Sequence, residues 1–139
     1  MLFKDFSDTL KENLNSFDGD YASFIDYGPN LFILLCDLLD DKRISKQSRL
    51  EIGAAISYFV VPNDVIPEEI YGPYGYVDDI FVSVYVLKKI AKKYGYDFIQ
   101  EVWNSDVHVK EVIDECFDKS LELLEDKVYP ILAYCGLVD

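Results

Sequence analysis

The sequence predicts an all-α protein, an irregular bundle of five to seven helices with a central helical hairpin joined by a Pro/Gly/Asp loop. Three observations lead there. Apolar residues recur at three- and four-residue steps along most of the chain. Ser, Asp or Pro stands where such runs begin, and Gly or Pro where they stop. No stretch alternates with period two; Phe81–Val86 is β-prone in composition, but its neighbours keep helical spacing.

Taken in order, Leu2, Phe3, Phe6, Leu10, Leu14 and Phe17 line one face of a first amphipathic helix, which Asp18-Gly19-Asp20 ends as a turn. Pro29 suits a helix start before the apolar run Leu31–Leu39, because its fixed φ is already helical and its missing N–H would have been an orphan there. Ser45 is placed to cap the next helix, accepting an otherwise unsatisfied N–H, and Pro62 stops that helix at about Val61. Helical spacing returns from about Val77 to Tyr94, with Ile80, Val84, Leu87, Ile90 and Ala91 facing inward. Lys88, Lys89, Lys92 and Lys93 crowd its last turns, where cations favour the negative end of the helix dipole, and Gly95 suits a left-handed cap. Asp97 is expected to cap a short helix through Trp103. Asp106 is expected to cap a long one carrying Val109, Ile113, Cys116 and Leu124 inward. Pro130 breaks or kinks that helix unless it falls in the first turn of a new one.

At 139 residues the expectation is a single domain over 1–139. Half the residues are hydrophobic and 11 Tyr with 9 Phe supply aromatic core material, so the 28% of charged residues does not signal disorder. The 26 acidic residues against 13 basic give a formal charge of −13, which argues against nucleic acid as a partner and permits a basic protein or a metal ion. No run approaches the about 18–20 apolar residues of a membrane-spanning helix. Ile52–Val61 and Ile80–Leu87 are the best candidates and both are too short, so a membrane role is not expected. Met1-Leu2-Phe3-Lys4-Asp5 does not open a signal peptide, and a cytoplasmic location is the default expectation.

Most catalytic constellations are absent. His108 is the one histidine, too few for the common zinc and iron sites, and no Glu-x-x-His pair, P-loop, Gly-x-Gly-x-x-Gly or Gly-x-Ser-x-Gly occurs. Cys36, Cys116 and Cys135 form no Cys-x-x-Cys pair, and Cys36 and Cys116 read as buried reduced thiols. Asp18-Gly19-Asp20 begins like a calcium loop, but Ser23 stands where the loop needs glycine. No residue is assigned a catalytic role. Glu111, Glu115, Asp118, Glu122 and Glu125, at steps of four and three, make one helix face acidic: a solvated face, or a docking face for a basic partner.

The most distinctive segment is the loop at 62–79, which holds three of the five prolines. Pro62 and Pro67 fix the backbone, Gly72 and Gly75 permit positive φ, Asp64 is suited to an Asx turn, and Asp78 and Asp79 open the next helix at the positive end of its dipole. Asp64, Asp78 and Asp79 are also the candidate metal ligands, since three carboxylates on a tight loop suit the hard cations Mg²⁺ or Ca²⁺. Capping and backbone hydrogen bonding explain the same three residues without an ion. The ordered residues Tyr58, Pro62, Asp64, Ile66, Pro67, Gly75, Tyr76, Asp78 and Asp79 resemble the signature of the YkvA-like family of domains of unknown function, over residues 51–86. Glu68 stands where that family usually has aspartate, and Tyr71-Gly72-Pro73 lengthens the loop by one residue. The resemblance implies a helical hairpin and, in some relatives, membrane association; it implies no established reaction. The functional expectation is a non-enzymatic interaction or scaffold domain, with a divalent-metal module or metal-dependent enzyme as the alternative and a peripheral membrane module third.

Overall fold

A computed structural model describes residues 26–60, 77–103 and 105–137. Among these residues there are six α-helices and no strand: α1 Gly28–Leu39, α2 Lys46–Val60, α3 Val77–Tyr94, α4 Tyr96–Val102, α5 Val109–Leu124 and α6 Val128–Tyr134, with a 3-10 turn, Glu125–Lys127, between the last two. The helix expected over 2–17 and its Asp18-Gly19-Asp20 turn lie outside the described residues, as does the loop from 61 to 76.

Pro29 sits in the first turn of α1, and Leu31, Phe32, Leu34, Leu35 and Leu38 are all buried. One side chain gathers the last carbonyl of α1 and two carbonyls of the connection that follows. Arg49, on α2, donates to the Leu39 carbonyl, to Asp41 O at 3.3 Å and to Ile44 O at 3.1 Å. Ser45 caps α2 as expected, its hydroxyl accepting the Ser48 N–H at 3.2 Å. Phe59 of α2 meets Phe32 of α1 edge to face at 5.3 Å, tying the two helices through the ring quadrupoles as well as through burial.

Helix α3 is the centre of the fold. Twelve of its 18 residues are buried, including the five expected to face inward, and it packs against α5, α2, α1 and α4. From Val77 to Leu87 every residue but Tyr85 is buried, so that part of the helix is covered on all sides by others. Helices α2 and α3 run antiparallel, because their contacts pair rising positions in one with falling positions in the other. Ser45 meets Lys93 and Tyr94, Glu51 meets Lys89, and Tyr58 meets Asp78.

At the C-terminal end of α3, Gly95 adopts φ 92°, a left-handed backbone that L side chains rarely take, and its N–H closes on Ala91 O at 2.7 Å. This same glycine takes the N-cap place of α4, so Asp97 falls in the first turn instead of capping it. Asp106 is not the cap of α5 either. That helix begins at Val109, whose N–H is accepted by the Gln100 side chain at 2.8 Å, reaching across from α4. A distant amide oxygen thus does what a local carboxylate was expected to do. The inward stripe of α5 (Val109, Ile113, Cys116, Leu124) is buried as its spacing predicts. The helix ends where Glu125 takes φ 51°, and Pro130 lies in the first turn of the new helix α6.

Candidate functional site

The site candidates meet at the inner end of the α2–α3 pair. Tyr58 lies in the last turn of α2, and Asp78 and Asp79 lie in the first turn of α3. Both carboxylate residues are fully buried. The Tyr58 hydroxyl donates to Asp78 Oδ2 at 2.6 Å, a length typical of a charge-assisted bond, and the Asp79 N–H donates to Asp78 Oδ1 at 3.1 Å. One oxygen of Asp78 therefore joins the two helices while the other takes up an N–H in the first turn of its own helix. Below it, the Ser83 hydroxyl donates to Asp79 O at 2.9 Å. Burying a carboxylate is costly unless donors replace water, and Asp78 has such donors on both oxygens.

Of the other motif residues, Pro62, Asp64, Ile66, Pro67, Gly75 and Tyr76 lie outside the described residues. Among the described residues, no group of three or more His, Cys, Asp or Glu is arranged to hold a metal ion. The two arginines, the cations best suited to carboxylates, are occupied elsewhere. Arg49 caps the end of α1, and Arg43 pairs with Asp41 at 2.8 Å and Glu101 at 3.0 Å.

A cavity of about 170 Å³ opens beside this site, lined by Ala54, Ser57, Tyr58, Tyr134 and Cys135. Tyr134 and Cys135 come from the last turn of α6 and the residue after it, and the Tyr134 ring meets Tyr58 edge-on at 5.9 Å. Sequence reasoning missed these two, because they lie far along the chain from the motif and carry no local signal.

The remaining chemistry is quiet. Burial, with the neighbouring Glu115 adding to it, pushes the Cys116 thiol up to about 12. Cys36 is half-buried, and burial followed by Asp37 and Asp40 pushes its thiol up to about 11. Both thiols are thus held away from the thiolate that a nucleophile needs. The basic cluster of α3 is largely paired within the fold: Lys88 with Asp114 at 2.9 Å, Lys89 with Glu51 at 2.6 Å, and Lys93 with the Ser45 hydroxyl at 2.8 Å. The acidic residues Glu111, Glu115, Asp118, Glu122 and Glu125 are all exposed. No helix among the described residues is long and apolar enough to cross a membrane.

The family model described as "Protein of unknown function (DUF1232)" matches residues 48–85, which contain Tyr58, Asp78 and Asp79 and join α2 to the first half of α3. "Uncharacterized protein ORF9" of Methanothermobacter thermautotrophicus is 33% identical over 128 residues, covering 92% of this chain and 88% of that protein. No solved structure matches the chain. With a relative of that identity over nearly the whole length, the chain belongs to the same family as that uncharacterised protein, and its residues 48–85 carry a DUF1232 segment of unknown function.

Proposed function

We propose that this chain is a single non-enzymatic helical domain that acts by docking a protein partner, and that its motif residues serve the fold that presents the docking surface. The observation that carries the reading is the state of Asp78. Its two oxygens accept from the Tyr58 hydroxyl and the Asp79 N–H, so the most distinctive carboxylate described joins two helices. The exposed carboxylates of α5 and the charge of −13 favour a basic partner over nucleic acid. The internal pairing of Lys88, Lys89 and Lys93 leaves little of that cluster for an anionic membrane, and a cytoplasmic location is part of the same proposal. The nine ordered motif positions support the narrower YkvA-like resemblance and, with the antiparallel α2–α3 pair, a hairpin closed by the Pro/Gly/Asp loop.

The competing reading makes Asp64, Asp78 and Asp79 ligands for Mg²⁺ or Ca²⁺. Thermal melting of wild type, Asp78→Asn and Asp78→Ala, each with Mg²⁺, with Ca²⁺ and with chelator, separates the two. Asparagine keeps an oxygen for the Asp79 N–H and can donate to the Tyr58 oxygen, so the contact survives with its direction reversed. The expected result is no metal response, with Asn near wild type and Ala clearly weaker. A metal-induced rise in the wild type that Asn abolishes would overturn the structural reading, because a ligand that binds only the folded state raises its stability.

A further inference from the structure

We infer that a groove between Tyr27 and the start of α5 seats a lysine side chain of a basic partner segment. The inference rests on the interaction-domain reading and gives that reading an address. The groove has a volume of about 390 Å³, and its described lining is Tyr27, Val107, Val112, Glu111 and Glu115. Tyr27 immediately precedes α1, and Val107 lies just before α5, so two separate parts of the chain form the walls.

The lining has two chemistries, and a lysine side chain has the same two. Val112 is buried and forms apolar floor, while Val107, 42% exposed, leaves an apolar rim in contact with water. A four-carbon stem laid along these valines and the Tyr27 ring removes apolar surface from water on both sides. Glu111 and Glu115 are one helical turn apart on the same face, and both line the groove. An ammonium there would donate charge-assisted hydrogen bonds to these carboxylates, in the same groove as the Tyr27 ring. Glu115 also accepts a 3.4 Å contact from Lys119, one turn further on, which is long enough to yield to a better placed cation. Charge complementarity continues beyond the groove. Asp118, Glu122 and Glu125 carry the same exposed face along α5, which fits a partner with several cations in succession.

The test uses a short fluorescein-labelled peptide alternating lysine and leucine, titrated with the full chain at about 150 mM salt, where charges further apart than about 8 Å are largely screened. Wild type should bind, and the same peptide with acetylated lysines should not. Glu111→Gln with Glu115→Gln should weaken binding about tenfold, and Val107→Ser should weaken it without changing the charge. Asp37→Asn with Asp40→Asn removes two equally exposed charges elsewhere and should leave binding nearly unchanged. Equal losses in the two double variants would overturn the groove as the site while leaving a docking domain intact. So would binding of the acetylated peptide, an unaffected Val107→Ser, or no binding by wild type. Failure of the interaction-domain reading itself is recorded separately, as a metal response in the melting experiment.

Discussion

Replacing Tyr58 with phenylalanine deletes one oxygen atom and leaves the ring in place, so it isolates the contact between α2 and α3. In the native protein that oxygen donates to a fully buried carboxylate at 2.6 Å. The variant leaves Asp78 buried and one donor short. Hydrogen bonds to charged groups contribute about 1.5–3 kcal/mol, and removal of one partner exposes the full cost of the other's burial. For a chain of this length a loss of 1 kcal/mol lowers Tm by roughly 3–5 °C, so the expected drop is roughly 5–15 °C. Urea titration monitored by circular dichroism should show a lower midpoint with an unchanged slope, since the surface exposed on unfolding is the same. A double-mutant cycle with Asp78→Ala assigns the loss: once the carboxylate is gone, Tyr58→Phe should cost less than about 0.5 kcal/mol. If Tyr58→Phe alone costs no more than that, or costs as much in the Asp78→Ala background as in wild type, the helix-joining role assigned to this pair is wrong.

Three further outcomes follow from the same structure. Ser45→Ala removes the N-cap of α2 and the acceptor of Lys93, and should cost about 0.5–2 kcal/mol in chemical denaturation; a neutral result would refute the cap. The Ser120 hydroxyl is buried without a hydrogen-bond partner among the described residues, so Ser120→Ala should be neutral or gain up to about 1 kcal/mol, and a clear loss would show that the hydroxyl is satisfied. Hydrogen bonds from the Arg43 side chain and backbone lower the Asp41 carboxyl from 3.8 to about 2. A depressed carboxyl stabilises the folded state above its unfolded pKa and loses that contribution as pH falls through its folded one. The gap in Tm between wild type and Arg43→Ala should therefore be constant near neutral pH and narrow from about pH 4 to about pH 2; a gap that widens on acidification would refute the pairing.

Much of the fold could be read from spacing, because burial enforces it. The bounds of α3, the inward stripe of α5 and the Ser45 cap each follow from a repeat or a residue type whose cause is local. The two misplaced caps show where local reading stops. Asp97 and Asp106 are good capping residues, but Gly95 had already fixed one helix start by its backbone, and Gln100 satisfied the other from a neighbouring helix. Arg49 carries no local signal of its task either: it closes the end of α1, a role set by how α1 and α2 meet. At the candidate site, Tyr58, Asp78 and Asp79 were each singled out from the motif. That Tyr58 and Asp78 are bonded to each other was legible only in the antiparallel geometry, which brings the end of one helix to the start of the next. Tyr134 and Cys135 needed the whole fold, since a contact from α6 leaves no periodic trace near the loop.

The burial of α3 sets a condition on the chain before it folds. Ile80–Leu87 reads Ile-Phe-Val-Ser-Val-Tyr-Val-Leu, rich in β-branched and aromatic residues, without charge and without proline. In the native protein this segment is hidden inside a ring of helices; in a nascent or denatured chain it has the composition of a segment that pairs with copies of itself. Charges bracket it closely, Asp78 and Asp79 in front and Lys88 and Lys89 behind. Flanking charges of this kind act as gatekeepers, raising the cost of stacking identical segments in register. The residues that bond, cap and pair with other helices once folding is complete therefore have an earlier task, holding the most aggregation-prone stretch apart until α1, α2 and α5 enclose it.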